Sequence, residues 1–301
     1  MLILISDSFG PDLPGRLARF GEVTADHERL DEAEVVLVRS KTKCTREYIE
    51  SAPNLKLIIR GGVGMDNIDV PFATSRGIKC INTPEASTTA VAELAFAMMI
   101  ALPNRITLAD TSMREGKWLK KELNRSELQG KTLGILGLGR IGLALASRAR
   151  AFQMQVLGWH PDAHFTDFAE IRPTMEEVLA EADFVSLHMP LLPDTEGMIN
   201  RNTLQLFRKG TFLINTARAG IVVEDDVIDA LENGILAGYA TDVWASDPPK
   251  CSRLFEAPNT LLSPHVGAST AENMARIATI AERILEDFTR EQATTPEGVL
   301  I

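Results

Sequence analysis

The sequence predicts an α/β protein built from two doubly wound parallel-sheet domains. Short apolar runs alternate with helical segments along the whole chain, which is typical of parallel sheets covered by helices on both faces. A chain of 301 residues, 45% of them hydrophobic, is also long enough to divide its core between two domains. Three of the apolar runs precede residue 89 and six follow it, so each domain has strands for its own sheet.

The predicted strands are, in chain order, LILIS, VVLVRS, LKLIIR, KTLGILG, QVLGW, FVSLHM, TFLINT, GYATDVW and NTLLSPH. Two capping-box patterns, Thr174 with Glu177 and Ser269 with Glu272, predict the starts of helices. Two longer helices, near residues 89–102 and 270–289, mark the expected domain boundaries. We therefore expect a discontinuous domain of residues 1–88 and 270–301, with residues 89–269 inserted as the second domain.

Composition excludes several classes of function. A net charge of −10 and a pI near 5.1 disfavour nucleic acid or an anionic membrane as a partner. The longest apolar run, residues 90–102, is shorter than the roughly 20 residues that cross a bilayer. The N-terminus lacks the features of a signal peptide, so we expect a cytoplasmic protein. Three widely spaced cysteines indicate neither disulfides nor a metal site.

The segment GLGRIG follows an apolar strand directly and opens an amphipathic helix. In this context Gly137 allows a tight turn, Gly139 lets the backbone approach a pyrophosphate, and Gly142 allows close packing of helix on strand. The helix N-terminus then faces the phosphates. Without that context the pattern is often only a turn; with it, the sequence predicts a Rossmann domain that binds a dinucleotide.

The choice between NAD and NADP depends on the end of the next strand. An acidic residue is expected there to bind the adenosine ribose, but His160 occupies the position. His160 can still exchange hydrogen bonds with a ribose hydroxyl, although it is equally well explained as a surface residue. A 2′-phosphate would need Arg or Lys, and the segment HPDAHF offers neither while adding Asp162. We therefore expect NAD as the cofactor.

Polar residues that suit hydride-transfer chemistry follow three later strands. Oxidising a secondary alcohol with a nicotinamide needs a general base and a cation beside the reacting oxygen, and His265 and Arg218 supply these groups. Asp247 can orient the imidazole. Taken singly, these residues are better explained by a solvated Arg, a structural His and an Asp-Pro-Pro turn. Their order after a dinucleotide turn favours a catalytic set.

That order is familiar. The chain resembles the D-2-hydroxyacid dehydrogenase family in five motifs that occur in the family's order: GLGRIG, HMPLLPDT, INTARAGIV, TDVWASDPP and SPHVGAST. With VRSKTKCT, IIRGGVGMDNIDV and INTPEASTTAVAELAFAMM, the likeness covers nearly the whole chain and is strongest to the D-3-phosphoglycerate dehydrogenases. The resemblance implies a flavodoxin-like substrate domain, and Arg218, Asp247 and His265 as the catalytic residues. The family usually has Glu at position 247, so either the loop lies closer to His265 or a water bridges the two side chains.

The resemblance also assigns binding residues. Beyond the three glycines and His160, it implies cofactor contacts at Arg140, Ile141, His188, Pro190, Thr195, Thr216, Ala217, Asp242 and Gly267, with Asp242 on the nicotinamide carboxamide. Substrate contacts are implied at Arg39, Lys41, Arg60, Val63 and Gly64. The backbone amides of Val63 and Gly64 would receive the carboxylate, and the three cations would form the local basic patch that an acidic protein needs for a phosphate. The alternative for Lys41 is an ordinary surface lysine.

The expected reaction is NAD-dependent oxidation of D-3-phosphoglycerate to 3-phosphohydroxypyruvate, at the entry to serine biosynthesis, with the cleft between the domains closing on the substrate. The resemblance also implies a homodimer formed through the cofactor domains. The printed sequence stops soon after the last predicted helix, so we do not expect feedback by serine through a C-terminal regulatory domain. The first alternative is a glyoxylate or hydroxypyruvate reductase, which has no use for a phosphate patch. A second alternative is a non-enzymatic, dinucleotide-sensing corepressor.

Overall fold

A computed structural model describes residues 1–161 and 165–294 of the chain. The chain divides into two compact units, which are described separately below. Unit 1 comprises Met1–Ser87 and the chain from Ala268 onward, and unit 2 comprises Thr88–Gly267. The bounds expected from the sequence, 88/89 and 269/270, lie close to these positions.

Unit 1 contains a five-stranded parallel sheet in the order β2-β1-β3-β4-β5, the flavodoxin-like order. Its strands are β1 (Leu2–Ile5), β2 (Glu22–Thr24), β3 (Val35–Val38), β4 (Leu57–Arg60) and β5 (Lys79–Asn82). The expectation of three strands in this region was wrong, because β2 and β5 were missed. Both are edge strands with half-exposed side chains, so neither has the continuous apolar run of a central strand.

The helices of unit 1 are α1 (Leu13–Leu17), α2 (Arg46–Glu50), α3 (Val70–Ser75) and α10 (Ala271–Thr294), with a 3₁₀ helix at His27–Glu32. Helices α1 and α10 cover one face of the sheet, where Ala281, Leu285 and Phe288 of α10 are buried. The first turn of α10 is capped by Thr270, whose Oγ1 accepts a hydrogen bond from the N–H of Asn273 at 3.1 Å. The predicted Ser269 cap is therefore off by one residue.

Unit 2 contains a seven-stranded parallel sheet in the order β12-β11-β10-β9-β6-β7-β8. Numbered within the unit, this is the Rossmann order 3-2-1-4-5-6 with one further strand at the edge. The strands are β6 (Thr132–Leu136), β7 (Gln155–Trp159), β8 (Glu170–Ile171), β9 (Phe184–Leu187), β10 (Thr211–Asn215), β11 (Leu236–Thr241) and β12 (Thr260–Leu262). Only the two-residue edge strand β8 was not predicted.

Helices cover both faces of this sheet, and each face has its own buried apolar cluster. The helices of unit 2 are α4 (Thr88–Ala101), α5 (Ile106–Arg114), α6 (Arg140–Ala151), α7 (Met175–Glu181), α8 (Arg201–Leu204) and α9 (Glu224–Glu232), with 3₁₀ turns at Ala219–Ile221 and Arg253–Phe255. Thr174 caps α7 as predicted, accepting from the N–H of Glu177 at 3.3 Å. In the described ranges no single helix has the length and composition to span a membrane; α4 and α5 do so only together, across a 66° bend.

Candidate active site

The glycine-rich turn joins β6 to α6. Gly137 has φ +100°, and a Cβ atom there would lie 2.7 Å from the backbone of His188, so the turn requires glycine. A Cβ atom on Gly142 would lie 2.2 Å from the carbonyl oxygen of Gly137, so helix and turn are in direct contact. At Gly139 a Cβ atom would meet nothing within 4 Å. The open space at Gly139, beside the N-terminus of α6, is where a pyrophosphate fits.

The different surroundings of Gly139 and Gly142 give a matched pair of variants. We expect Gly139→Ala to keep the melting temperature of the parent protein, because the added methyl group meets no protein atom, but to weaken NAD binding at least about tenfold. Gly142→Ala should lower the melting temperature, because its Cβ atom collides with backbone. Thermal unfolding and titration with NAD check both expectations. Unchanged NAD affinity in Gly139→Ala would mean that the turn is only structural.

His188 and His160 flank this turn. The N–H of Gly137 donates to the carbonyl oxygen of Trp159, the residue before His160, at 2.9 Å. This contact brings His160 to the edge of the turn, whereas Asp162 lies outside the described residues. The His188 ring hydrogen-bonds through Nε2 to Ser186 Oγ at 2.9 Å, and desolvation lowers the pKa of His188 to about 4. His188 is therefore neutral at pH 7, and its backbone lies against Gly137 of the turn.

The pKa of His188 makes stability depend on pH. In the unfolded chain a histidine titrates near 6.5, so on acidification the unfolded state takes up the proton first. We expect the free energy of unfolding to fall between pH 6.5 and about 4, because the folded state disfavours the protonated form of His188. Urea unfolding at several pH values, compared with His188→Gln, isolates the contribution of this residue. Parallel pH curves for the two proteins would contradict it.

Further expected cofactor contacts lie after strands β6, β9 and β10. Arg140 and Ile141 are the first two residues of α6. Thr195 Oγ1 donates to the carbonyl oxygen of Pro190 at 2.6 Å, which closes the loop after β9. Thr216 follows β10 directly, and its Oγ1 is buried with no hydrogen-bond partner among the described residues. A buried hydroxyl in that state favours a bound ligand as its partner.

Three neighbouring strands end level with one another. Asn215 of β10 pairs with Thr241 of β11, and Thr241 pairs with Leu262 of β12. Parallel strands lie about 4.8 Å apart, so the residues that follow them share one edge of the sheet. Arg218 follows β10, Asp242 follows β11 and His265 follows β12. The fold of unit 2 alone therefore brings these three predicted residues to one edge.

Arg218 is held by the turn that precedes it. The buried side chain of Asn215 spans this turn: Oδ1 accepts from the N–H of Ala217 at 3.1 Å, and Nδ2 donates to the carbonyl oxygen of Arg218 at 2.9 Å. The Arg218 guanidinium donates to the carbonyl oxygen of Ala217 at 2.7 Å. The backbone around Arg218 is thus fixed by a side chain that is itself buried and already hydrogen-bonded.

Asp242 is almost fully buried, with 2% of its surface exposed. Its Oδ1 accepts from Ser263 Oγ at 2.6 Å and from the N–H of Val266 at 2.9 Å, while Oδ2 accepts from the N–H of Gly267 at 2.7 Å. These donors lie on both sides of His265, whose backbone is left-handed with φ +55°. Beyond any contact with the nicotinamide, Asp242 holds the histidine loop in this conformation.

His265 and Asp247 are in direct contact. Nδ1 of His265 hydrogen-bonds to Oδ2 of Asp247, and both side chains are partly exposed. Of the two arrangements left open by the sequence, the structure shows the loop placed close enough for the shorter Asp side chain. With the proton on Nδ1, Nε2 of the neutral ring is a proton acceptor.

Asp247→Asn tests this pair. An amide at this position can donate to Nδ1, which would place the proton on Nε2, the atom that has to accept one. We expect kcat to fall by about 10- to 100-fold and KM to change much less. Steady-state kinetics by NADH absorbance give both values. An unchanged kcat would mean that Asp247 is only a turn residue.

The predicted substrate residues lie at the corresponding edge of the sheet in unit 1. Val38 of β3 pairs with Arg60 of β4, so Arg39 follows one strand beside the last residue of the other. Arg39 donates to the carbonyl oxygen of Ser8 at 3.1 Å, and burial lowers the pKa of its guanidinium below the usual value. Lys41 is exposed in the same loop. These residues form a cationic edge in an acidic chain.

The glycine-rich loop after β4 offers backbone donors beside these cations. Within the part of the chain that the structure describes, the N–H groups of Val63 and Gly64 donate no hydrogen bond. The Arg60 guanidinium lies against Gly62, where a Cβ atom would be 1.5 Å from Nη1. Glycine at position 62 is therefore needed for Arg60 to adopt this orientation. The arrangement can bind an anion through two amides and a neighbouring guanidinium.

A cavity of about 330 Å³ lies elsewhere in unit 2. It is lined by Phe212, Ala237 and Thr260, which are close to the amino ends of β10, β11 and β12. It is therefore at the opposite edge of the sheet from Arg218 and His265. Across residues 1–161 and 165–294 there is no group of three or more His, Cys, Asp or Glu side chains arranged to hold a metal ion.

Sequence reasoning missed the side chains that hold the candidate catalytic residues in place. Asn215 and Ser263 are the main examples, and each is a polar residue at the end of a largely apolar strand run. A polar residue that ends an apolar strand run indicates a side chain with a hydrogen-bonding role, because a buried polar side chain needs a partner. It does not identify the partner, which in the case of Ser263 is 21 positions away in the sequence.

Comparison with known proteins gives one family. The model of the D-isomer specific 2-hydroxyacid dehydrogenase, NAD binding domain, matches residues 96–267. The chain is 40% identical to a hydroxypyruvate reductase of Thermotoga maritima over 278 residues, covering 89% of this chain and 91% of that protein. It is also 40% identical to a D-3-phosphoglycerate dehydrogenase of Methanocaldococcus jannaschii over 295 residues, covering 94% of this chain but 56% of that protein.

A solved structure supports the same family. The D-lactate dehydrogenase of Aquifex aeolicus, in complex with NAD and lactic acid, superposes with a TM-score of 0.85 at 27% identity, covering 97% of this chain and 96% of the other. The chain thus spans about half of the phosphoglycerate dehydrogenase it matches and nearly all of the hydroxypyruvate reductase. The two names occur at equal identity, so overall similarity does not choose between the substrates.

Proposed function

Because the chain belongs to the D-isomer specific 2-hydroxyacid dehydrogenase family and is an NAD-dependent dehydrogenase, we propose that its substrate pair is D-3-phosphoglycerate and 3-phosphohydroxypyruvate. The observation that carries this proposal is the cationic edge of unit 1, where Arg39, Lys41 and Arg60 collect in a chain of net charge −10. Glyoxylate and hydroxypyruvate have no phosphate that would need it. The dianionic phosphate of the proposed substrate needs positively charged side chains to bind it.

NAD fits the residues of unit 2. The space at Gly139 and the N-terminus of α6 suit its pyrophosphate, and the buried Thr216 hydroxyl has an unused hydrogen-bonding capacity. His160 takes the position of the acidic residue that usually binds the ribose. Bound NAD supplies the hydride acceptor of the reaction.

The side chains of unit 2 supply the proton chemistry. His265 Nε2 accepts the proton of the C2 hydroxyl as the carbonyl forms, and Asp247 stabilises the resulting imidazolium through Nδ1. Arg218 binds the carboxylate and the C2 oxygen, which orients the substrate and stabilises charge on that oxygen. In the reductive direction His265 returns the proton. In unit 1, the amide donors of Val63 and Gly64 suit a carboxylate, and the cations Arg39, Lys41 and Arg60 suit a phosphate.

Replacing the cations tests the substrate assignment. We expect Arg60→Ala and Arg39→Ala each to lower kcat/KM for 3-phosphohydroxypyruvate about 10- to 100-fold, because each removes a charge-assisted hydrogen bond to phosphate. Lys43→Ala is the matched control, since it removes an exposed cation two residues from Lys41. If both Arg variants keep the activity of the parent protein, the phosphate assignment fails and the hydroxypyruvate reductase alternative takes its place.

We further propose a homodimer formed through unit 2. The segment from Ile106 to Trp118 exposes four large apolar side chains, Ile106, Leu108, Met113 and Trp118, with Trp118 72% exposed. Exposed apolar side chains concentrated on one segment favour a protein partner, and a second copy is the simplest one. Light scattering on the purified protein should give twice the 33.0 kDa chain mass. A mass of one chain would reject this proposal.

A further inference from the structure

Asp7 lies just after β1, beside the loop that follows β3. Its carboxylate accepts hydrogen bonds from the N–H of Arg39 and from both the N–H and the Oγ1 of Thr42, the last two at 3.2 Å and 2.7 Å. Strand β1 neighbours β3 in the sheet, so these contacts cross between adjacent strand ends. A carboxylate that accepts several backbone N–H groups makes strong, directional hydrogen bonds.

Asn67 holds the same two residues through their carbonyl groups. Its Nδ2 donates to the carbonyl oxygens of Arg39 and Thr42, both at 2.7 Å. The backbone of Asn67 is bound as well, since its carbonyl oxygen accepts from the N–H of Cys44 at 2.8 Å. We call these two side chains the Asp7–Asn67 clamp. It occupies the N–H and C=O groups of both Arg39 and Thr42.

The clamp fixes the two ends of a four-residue loop. Ser40 and Lys41 lie between the held residues, and both are exposed. Fixing the residues of a free loop costs conformational entropy, so an unheld loop would lose affinity when it ordered around a ligand. Asn67 belongs to the loop after β4, which also carries Val63 and Gly64, so the clamp joins the cationic loop to the amide-donor loop.

We propose that Asp7 and Asn67 are positioning residues that orient Arg39 and Lys41 towards the phosphate of the substrate, which rests on the proposed function above. Neither residue needs to contact the substrate, because each acts through the backbone of the loop between them. Asp7 is separated from Thr42 by 35 positions, and Asn67 by 25, so the clamp forms only in the folded unit. It makes preference for a phosphorylated substrate depend on side chains that hold the cations in place.

Asp7→Asn tests the clamp with a near-isosteric change. The neutral amide removes the negative charge and leaves one acceptor oxygen, so the hydrogen bonds to the N–H groups of Arg39 and Thr42 weaken, and the Thr42 hydroxyl has to reverse and accept if the amide nitrogen faces it. We expect the ratio of kcat/KM for 3-phosphohydroxypyruvate to that for hydroxypyruvate to fall about tenfold, mainly through KM for the phosphorylated compound. Asp31→Asn, the same change at an exposed site of unit 1, is the matched control and should leave the ratio unchanged.

A second comparison separates positioning from general destabilisation. In a protein that already carries Arg39→Ala and Lys41→Ala, Asp7→Asn should lower the ratio less than about twofold further, because the cations it positions are absent. A full tenfold effect in that background, or an equal loss on both substrates in the parent protein, would overturn the proposal. Hydrogen exchange of the peptide containing residues 39–44 should be faster in Asp7→Asn, and unchanged exchange would also overturn it.

The outcomes distinguish the clamp from the proposed function. If the parent protein shows no preference for the phosphorylated compound, the proposed substrate fails and the role of the clamp in binding it fails too. If the preference exists and Asp7→Asn leaves it intact, only the clamp is rejected. Asn67→Ala is a second test of the clamp, because it removes both N–H donors to the loop carbonyl oxygens. It should also lower the ratio of kcat/KM for 3-phosphohydroxypyruvate to that for hydroxypyruvate.

Discussion

Replacing His265 with asparagine is expected to lower kcat by about 10²- to 10⁴-fold, the range that a general acid–base contributes to a rate. Asparagine is the suitable replacement because His265 has φ +55°, and asparagine tolerates this left-handed backbone better than most residues. The variant keeps a polar side chain but has no group that accepts a proton near neutral pH. Single-turnover measurement of NADH formation gives the chemical step directly.

The control for this variant is the binding of NAD, which His265 does not contact in the proposed arrangement. The melting temperature and the NAD affinity should stay close to those of the parent protein. A kcat within about tenfold of the parent value, in a variant that binds NAD normally, would show that another group moves the proton.

Replacing Arg218 with lysine is expected to lower kcat/KM by about 10²- to 10³-fold, the effect of losing a donor to the charge that develops on the reacting oxygen. Lysine keeps the positive charge but not the planar fork that binds a carboxylate and a carbonyl oxygen together. The backbone of residue 218 stays in place in this variant, because Asn215 still donates to its carbonyl oxygen. The loss should appear with phosphorylated and plain 2-oxo acids alike.

An equal loss with phosphorylated and plain 2-oxo acids would distinguish the role of Arg218 from that of the cations of unit 1. Arg218 is assigned to the carboxylate and the C2 oxygen, which every 2-hydroxy acid has, whereas Arg39 and Arg60 are assigned to the phosphate. An Arg218→Lys enzyme with activity within about threefold of the parent would mean that charge alone suffices at this position. Steady-state kinetics with both classes of substrate provide the comparison.

Central strands and the glycine turn were predictable because each depends on local sequence. Strands such as β6 and β10 are largely buried on both faces, so they are continuous apolar runs. Gly137, Gly139 and Gly142 need no distant partner to be identified, since their spacing and their place between strand and helix suffice. The edge strands β2, β5 and β8 lack such a run, because they are partly exposed to solvent.

The candidate site was predictable only at the level of its reacting groups. His265 and Arg218 carry chemistry that few other residue types provide, and they follow recognisable strands. Their supports were not predictable, because the Asn215 turn, the contacts of Asp242 on both sides of His265, and the Asp7–Asn67 clamp depend on strand register and long-range packing. Whether Asp247 reaches His265 directly was also a question of loop geometry, which the structure answers.

One measurement tests the central claim most directly: kcat/KM of the purified protein for 3-phosphohydroxypyruvate, hydroxypyruvate and glyoxylate, followed by NADH oxidation under one set of conditions. A catalytic set in unit 2 combined with a cationic edge in unit 1 predicts at least about a tenfold preference for the phosphorylated compound. Equal or higher kcat/KM for hydroxypyruvate or glyoxylate would contradict the proposed substrate. No turnover with any 2-oxo acid would contradict the assignment of His265 and Arg218 as catalytic residues.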